Sequence, residues 1–273
     1  MVSLNYNKKT GELVKVNGLR SQAWSLYNKK SDKPFKISRS KFSNFLDCER
    51  CFYLDRVKGL KEPGTPGWAL NSTVDDLLKK EFDYYREQKK PHPIFKEYNL
   101  NFVPFQHKDI DIWREAKSGG IQFHHQETNL IIQGGVDDIW FNLDTEEIVI
   151  CDYKAQSSKG LIDRERYLTN VYHLSYKTQM DIYAYILKNM GFSVSKDSYF
   201  MVCNGIKERD SFDKNINFEV ILIKYEVSTE WIGQKVLEMK KTLDSDKIPA
   251  KTESCQNCAY IETASHLLGE KVD

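Results

Sequence analysis

The sequence predicts an α/β protein, because segments with the composition of strands alternate with segments that have the periodicity of helices. Five segments have the β-branched and apolar composition of strands: 129–132, 136–143, 148–150, 198–204 and 218–225. Three longer segments repeat apolar residues at helical spacing: 66–88, 172–189 and 230–243. A chain of 273 residues is long enough to bury a core between such layers.

The composition limits the classes of function. The chain has 40 Lys+Arg against 39 Asp+Glu, so no global basic field attracts nucleic acid, and any such binding must use a local patch. The hydrophobic content of 40% and aromatic content of 12% indicate a folded protein. No apolar run approaches the roughly 20 residues that span a bilayer, and the start MVSLNYNKKTGELV lacks the apolar core of a signal peptide. We therefore expect a cytoplasmic protein without a membrane partner.

The N-terminal part is predicted to be an extended arm that leads into a helix. Residues 1–36 are polar, rich in lysine and weakly patterned, with room for one short strand. Ser38 or Ser40 can cap a helix in the following stretch, and Phe42, Phe45 and Phe52 supply apolar positions for it.

The chain from 61 to 126 is predicted to contain one long helix and a mostly irregular stretch. Thr65 can cap the helix and Pro66 suits its first position. One buried stripe is expected on it, formed by Leu70, Val74, Leu77, Leu78, Phe82 and Tyr85. Residues 91–126 predict a loop, a short helix near 110–115 and a strand at 121–124.

The stretch NLIIQGGVDDIWFNLDTEEIVICDYKAQ, residues 129–156, predicts two strand arms around an acidic turn at 144–145. In an antiparallel pair centred there, Asp137 and Asp152 lie roughly opposite each other. Because side chains alternate along a strand, Asp152 and Lys154 share one face and Tyr153 points to the other. Two carboxylates that close repel each other unless a cation lies between them. Mg²⁺ and Mn²⁺ prefer such oxygen ligands.

These motifs resemble the signature of the PD-(D/E)XK nuclease superfamily, in which an Asp precedes a (D/E)-x-K strand. GGVDDIW and ICDYK carry the resemblance. Cys48-Glu-Arg-Cys-Phe-Tyr53 and Gln179-x-x-x-Tyr183 are similar to further elements of the RecB-like branch, which includes CRISPR-associated exonucleases. The resemblance implies a mixed central β-sheet flanked by helices, a restriction-endonuclease-like core with a helical lead-in. It implies a nuclease domain at 37–261, after the arm at 1–36 and before a tail at 262–273.

The resemblance also implies an activity, the metal-dependent hydrolysis of phosphodiester bonds in DNA. Asp137, Asp152 and the backbone carbonyl of Tyr153 would hold Mg²⁺ or Mn²⁺, and Lys154 would position the nucleophile. Gln179 and Tyr183 would orient DNA or the lysine. The implied partners are single- or double-stranded DNA, and a helicase or other proteins of DNA repair, recombination or defence.

The chain departs from the RecB-like pattern in two elements: residues 48–53 lack the Pro and add a second Cys, and a helix position carries Asn in place of His. Those nucleases carry a Gly-x-x-x-His whose His binds the metal, whereas this chain has Gly67-x-x-x-Asn71. An amide oxygen can still bind Mg²⁺, and Asp75, one helical turn later, is the alternative ligand. The other interpretation is that Asn71 and Asp75 are ordinary polar residues of a helix.

Four cysteines form two chelating pairs, Cys48-x-x-Cys51 and Cys255-x-x-Cys258. Four thiolates can bind either zinc or an iron–sulfur cluster. The resemblance favours the cluster, although RecB-like clusters usually use one early and three late cysteines; the two-plus-two spacing favours zinc. The alternative is that these cysteines are small buried apolar residues, as is expected for Cys151 and Cys203 in apolar strands.

Two other classes of function stay open at this stage. Asn71 and the balanced charge are compatible with a nuclease fold that binds DNA but has weakened or lost catalysis. The cysteine pairs are compatible with a metal-clamped assembly module within a larger complex. Metal-dependent cleavage of DNA separates the nuclease from both.

Overall fold

The computed structural model describes residues 4–64, 67–116, 119–160 and 162–269. Its helices are α1 (Arg39–Asp47), α2 (Glu49–Arg56), α3 (Ala69–Glu87), α4 (Pro93–Glu97), α5 (Ile110–Arg114), α6 (Arg164–Thr169), α7 (Leu174–Asn189), α8 (Ile232–Asp244) and α9 (Gln256–Leu267). Its strands are β1 (Phe35–Ser38), β2 (Phe102–Pro104), β3 (Ile121–His125), β4 (Leu130–Gly134), β5 (Asp138–Asn142), β6 (Glu147–Gln156), β7 (Asp197–Gly205) and β8 (Phe218–Glu226). Within these residues, no helix is long and apolar enough to cross a membrane.

The chain divides into two compact units. One contains residues 1–67, 126–130 and 234–273, and the other contains residues 68–125 and 131–233. The predicted strand arms, the D-x-K motif and the Gln-x-x-x-Tyr motif belong to the second unit, and both cysteine pairs belong to the first. The nuclease-domain boundaries at 37 and 261 stay a prediction.

The second unit is built on a five-stranded sheet in the order β2-β5-β6-β7-β8. β5 and β6 are antiparallel, β6 and β7 are parallel, and β7 and β8 are antiparallel. The parallel pair requires a crossover, and α6 and α7 lie in the connection between β6 and β7. The predicted mixed α/β fold is therefore confirmed.

Helices cover both faces of this sheet. On one face, Phe82 of α3 stacks on Trp140 of β5, with ring centroids 5.6 Å apart, and contacts Tyr153 of β6. On the other face, Gln179 of α7 reaches Asp152 of β6. Tyr153 and Asp152 are neighbours on one strand, so α3 and α7 must lie on opposite sides of the sheet.

The predicted buried stripe of α3 is wrong for its first half. Phe82 is fully buried, but Leu70 and Leu77 are each 57% exposed. The second half of α3 packs on the aromatic core, whereas Leu70 and Val74 line an open cleft. Helical spacing alone cannot tell a covered apolar stripe from an open one. Thr65 and Pro66, the predicted start of this helix, lie outside the described residues, and the observed helix begins at Ala69.

The stretch from 37 to 60 contains two helices in place of the one expected. Ser38 caps α1 by accepting a hydrogen bond from the Lys41 amide, as predicted. The helix then breaks at Cys48, whose backbone is extended, with φ −160° and ψ 108°. The break starts α2 immediately before Cys51, which places both cysteines at one helix N-terminus.

Two short elements between 91 and 104 were not expected from the sequence. α4 has five residues and β2 has three, too few for either periodicity to be visible. The short helix and the strand predicted further on are present as α5 and β3.

A buried ion cluster lies behind the hairpin formed by β5 and β6. The Asp138 carboxylate is fully buried and accepts hydrogen bonds from Arg86, from Arg114 at 2.9 Å and from the Tyr153 hydroxyl at 3.0 Å. Asp83 pairs with both arginines from the exposed side. The cluster joins α3 and α5 to the sheet. Its two carboxylates neutralise its two guanidinium groups, so the removal of one charge leaves the others unbalanced.

We expect Asp138→Asn to lower the free energy of unfolding by about 3–5 kcal/mol, because it leaves two buried guanidinium groups short of a counter-charge. Urea unfolding measures this. Asp83→Asn is the matched control: its side chain is 36% exposed, and its loss should cost about 1 kcal/mol or less. Equal losses in the two variants would contradict a special role for the buried carboxylate.

Candidate active site and cysteine centre

The hairpin of β5 and β6 brings the two predicted acids together. Asp138 pairs with Cys151 across the strands, so the next position outward places Asp137 beside Asp152. Asp137 Oδ2 accepts a hydrogen bond of 2.8 Å from the Tyr153 amide, which fixes it against β6. The opposed arrangement expected from the turn at 144–145 is therefore present.

The Asp152 carboxylate is held by two hydrogen-bond donors. It is fully buried, Lys154 donates to its Oδ2, and Gln179 Nε2 donates to its Oδ1 at 2.7 Å. The Lys154 ammonium also lies over the ring of Tyr176, 4.6 Å from the centroid. Burial alone would lower the pKa of Lys154, but the charges of Asp152 and Asp137 outweigh it and the pKa is raised. The lysine is thus a fixed cation.

Asp137 lies in an environment that opposes its charge. Burial, followed by the neighbouring Asp152 carboxylate, raises its pKa to about 7, against the weaker effects of Lys154 and Lys79. Two carboxylates held together in this way have an unmet need for positive charge. A divalent cation with oxygen ligands fits that need.

The structure places the two candidate ligands of α3 differently. Asn71 Nδ2 donates to the backbone carbonyl of Ala155 at 3.2 Å, so its amide contacts the end of β6. Asp75 pairs with Lys79 at 2.7 Å. Burial, followed by the charge of Asp137, raises the pKa of Asp75.

Gln179 and Tyr183 lie one turn apart on the buried side of α7, and Gln179 Nε2 also contacts the Tyr183 hydroxyl at 3.0 Å. Both side chains are less than a tenth exposed. Gln179 therefore contacts the acid and not the open surface. Sequence reasoning missed two neighbours of the site, Tyr176 and Lys79. Tyr176 lies three residues before Gln179, and this helical spacing is a signal that could have found it.

Just before Asp137, the backbone at Gly135 packs closely against the backbone of residues 114–116. A Cβ at Gly135 would lie 2.9 Å from the Arg114 carbonyl and 2.8 Å from the Ala116 amide nitrogen. Both neighbours are backbone atoms and cannot move aside cheaply. The second glycine of GGVDD is therefore needed to pass the chain beneath α5 at this point.

The four cysteines Cys48, Cys51, Cys255 and Cys258 converge in the first unit, and we call this group the four-cysteine site. Cys51 Sγ lies 3.5 Å from the sulfurs of both Cys255 and Cys258, and Cys48 Sγ lies 3.8 Å from Cys258 Sγ. All four sulfurs lie within 4.8 Å of one another. The separations exceed a disulfide bond of about 2.05 Å, and the thiols are free.

The two halves of the four-cysteine site have the same local structure. Cys48 and Cys255 are the N-cap residues of α2 and α9, and their partners lie in the first turns. Helix N-termini favour thiolates. Burial would raise the pKa of Cys48, but backbone hydrogen bonds from Thr252 and Cys51 lower it to about 6. Burial raises the pKa of Cys258 to about 11.

The expected core cysteines are buried as predicted. Cys151 is fully buried and Cys203 is 2% exposed, and both lie in strands of the large sheet. Among the described residues, the one group of three or more metal-ligating side chains close enough to share an ion is the four-cysteine site.

A mixed α/β sheet whose β5–β6 hairpin brings Asp137 beside the D-x-K motif of β6 is typical of one class of protein, the α/β nucleases. The chain belongs to the PD-(D/E)XK nuclease superfamily, whose family model matches residues 65–263. The family assignment made from the motifs is confirmed at this level.

Two further comparisons complete the findings. A solved structure named "Putative exonuclease", from Eubacterium rectale, is similar over 89% of this chain and 94% of its own, with 12% identity and a TM-score of 0.40. No curated protein sequence matches the chain. The family assignment therefore rests on the family model.

Proposed function

We propose that the protein is a metal-dependent DNA nuclease that hydrolyses phosphodiester bonds at Asp137, Asp152 and Lys154. One observation carries the proposal: the family's two acids and lysine, separated in the sequence, meet at the end of one buried strand. The RecB-like motifs further support an enzyme of DNA repair, recombination or defence that acts with a helicase or similar partner.

The side chains present fit a divalent cation. The carboxylates of Asp137 and Asp152 and the carbonyl of Tyr153 would hold Mg²⁺ or Mn²⁺, with Asn71 or Asp75 of α3 as the further candidate ligand. When bound, the ion would supply Lewis acidity, which lowers the pKa of water and offsets charge on the scissile phosphate.

The chain's own residues set the geometry of the reaction. Asp152 and the ring of Tyr176 fix the Lys154 ammonium, which can orient a water molecule or neutralise a phosphate oxygen. The water oxygen bonds to phosphorus, one P–O ester bond breaks, and the leaving oxygen takes up a proton. Gln179 acts through Asp152, as a positioning residue, by holding its second oxygen.

The removal of this positioning contact gives a test. We expect Gln179→Met to lower the turnover rate by about 10–100-fold, because partners behind a metal ligand typically contribute that much. The Mn²⁺ concentration that gives half-maximal rate should rise, a change that a merely structural role would not produce. Gln234→Met, at a Gln that contacts Glu238 on the surface, is the control. An unchanged metal requirement in the Gln179 variant would contradict the role.

For the four-cysteine site we propose zinc. A tetrahedral zinc with bonds of about 2.3 Å places its sulfurs about 3.8 Å apart. Three of the six separations are 3.5, 3.5 and 3.8 Å, and all four sulfurs lie within 4.8 Å of one another. An iron–sulfur cluster inserts several irons and sulfides between the thiolates, which requires wider separations. The two-plus-two spacing that favours zinc therefore agrees with the geometry.

Cleavage of end-labelled DNA in the presence and absence of Mg²⁺ tests the proposed activity. DNA binding without cleavage under any metal condition would support the alternative, a nuclease fold that retains only binding.

A further inference from the structure

An open cleft of about 430 Å³ lies beside the end of β6. Its walls are mainly apolar and come from α3, β6 and the ends of β7 and β8, and its lining includes Trp68, Leu70, Val74, Ile206, Ile216 and Phe218. Trp68 is 78% exposed. A large aromatic ring left in solvent on the wall of an apolar cleft indicates a surface that another molecule covers.

The cleft adjoins the end of β6, the strand that carries Asp152 and Lys154. Asn71 and Ala155, which line it, are joined by a hydrogen bond, and Ala155 directly follows Lys154. Gln156 also lines it, two residues beyond the lysine. Two residues of extended strand span about 7 Å, which equals about two nucleotide steps at 3.4 Å each. A strand cut at Lys154 would reach this cleft, on the α3 side of the sheet, by passing the edge of β6 that β5 leaves unpaired beyond Cys151.

A second cleft, whose lining also includes Gln156, carries several charged side chains. It has about 240 Å³, and its lining includes Lys159, Arg166 and His173 together with the acid Asp163. Tyr167 also lines it, and its buried hydroxyl has no hydrogen-bond partner among the described residues. Cations and an unpaired hydroxyl suit phosphate oxygens. The apolar cleft at Trp68 thus suits bases, and the charged cleft suits a phosphate backbone. Both clefts include Gln156, at the end of β6, in their lining.

We propose that the cleft at Trp68 binds an unpaired nucleobase, so that the substrate is single-stranded where it enters the active site. A base inside a duplex is stacked and paired and cannot present its face to Trp68. Stacking on an aromatic ring suits every base, so the cleft selects single strands without selecting sequence. The proposal rests on the nuclease function for its substrate, but it concerns binding and not chemistry.

The test measures binding in the Asp152→Asn background, where cleavage does not interfere. The probes are a 12-nucleotide oligo-dT, a 12-base-pair duplex and a fully abasic 12-mer with the same phosphates. We expect Trp68→Ala to raise the Kd for oligo-dT by about 5–100-fold, the usual effect of removing one stacking contact, and to leave the duplex Kd within twofold. Trp24→Ala is the matched control, because Trp24 is 79% exposed.

Fluorescence gives a second readout. With Trp24 replaced by Phe, oligo-dT should quench the remaining exposed tryptophan signal and the abasic strand should not. An unchanged Kd for oligo-dT in Trp68→Ala, an equal loss for the duplex, or no binding of oligo-dT would overturn the proposal. The proposal would also be overturned if the protein binds no DNA and instead forms a dimer that Trp68→Ala abolishes. Binding that depends on Trp68 in a protein that never cleaves DNA would instead reject the nuclease function alone.

Discussion

Replacement of Asp152 by Asn is expected to abolish DNA cleavage, with a loss of at least about a thousandfold in the single-turnover rate. Asp152 is fully buried, holds Lys154 and is a proposed metal ligand. Asn keeps the shape but removes the charge that attracts the ion and fixes the lysine. Each factor of ten in rate corresponds to about 1.4 kcal/mol of activation free energy, so a thousandfold loss corresponds to about 4 kcal/mol. We expect the loss of this buried charge, which has two partners, to raise the activation barrier by more than that.

The fold should survive this change, which circular dichroism and thermal melting can verify. Asp144→Asn is the matched control, because Asp144 lies in the turn of the same hairpin and is exposed. That variant should cleave at the wild-type rate. Near wild-type cleavage by Asp152→Asn with Mg²⁺ present would show that the site lies elsewhere.

Replacement of Cys255 by Ser is expected to release zinc and to lower the melting temperature by roughly 10 °C or more. The four-cysteine site joins α2 to α9 across 210 residues of sequence, and it closes a long loop. Structural zinc contributes on the order of 10 kcal/mol of apparent folding free energy. Each kcal/mol corresponds to about 2–4 °C in a chain of this size, so a partial loss is enough.

Metal analysis should find about one zinc per wild-type chain and no iron, and the Cys255→Ser protein should contain neither. Cys203→Ala is the control, since Cys203 is a buried cysteine of the large sheet and lies outside the four-cysteine site. It should retain the zinc even if it is less stable. A brown protein with iron and sulfide would reject zinc in favour of a cluster. If the wild-type protein contains neither metal and Cys255→Ser leaves the melting temperature unchanged, the four cysteines are ordinary packed residues.

The convergence of Asp137, Asp152 and Lys154 was the most predictable arrangement in this protein, and their catalytic roles stay a prediction. The acidic turn fixes the register of the hairpin, and the alternation of side chains then decides which residues face Asp152. Asp137 and Asp138 are adjacent and of the same type, yet the alternation directs one to the proposed metal site and the other to two buried arginines. The two arginines belong to α3 and α5, which are far from Asp138 in the sequence, so no local sequence pattern predicts this cluster.

The sequence-based predictions that were wrong or missing concern features that are decided by packing. The apolar stripe of α3 is correctly periodic, but whether Leu70 is covered depends on what lies opposite. The break at Cys48 opposes helix propensity and is explained by the position that Cys48 takes in the four-cysteine site. Tyr176 supports Lys154 from another element, a contact that is set by the path of the chain between β6 and α7.

The central claim is metal-dependent hydrolysis at Asp137, Asp152 and Lys154, and single-turnover cleavage of labelled DNA by the wild-type protein tests it most directly. Single- and double-stranded substrates are each incubated with Mg²⁺, with Mn²⁺ and with EDTA. We predict cleavage with either metal, none with EDTA, and none by Asp152→Asn under any condition. Cleavage that persists in EDTA, or that Asp152→Asn retains with metal present, would contradict the claim.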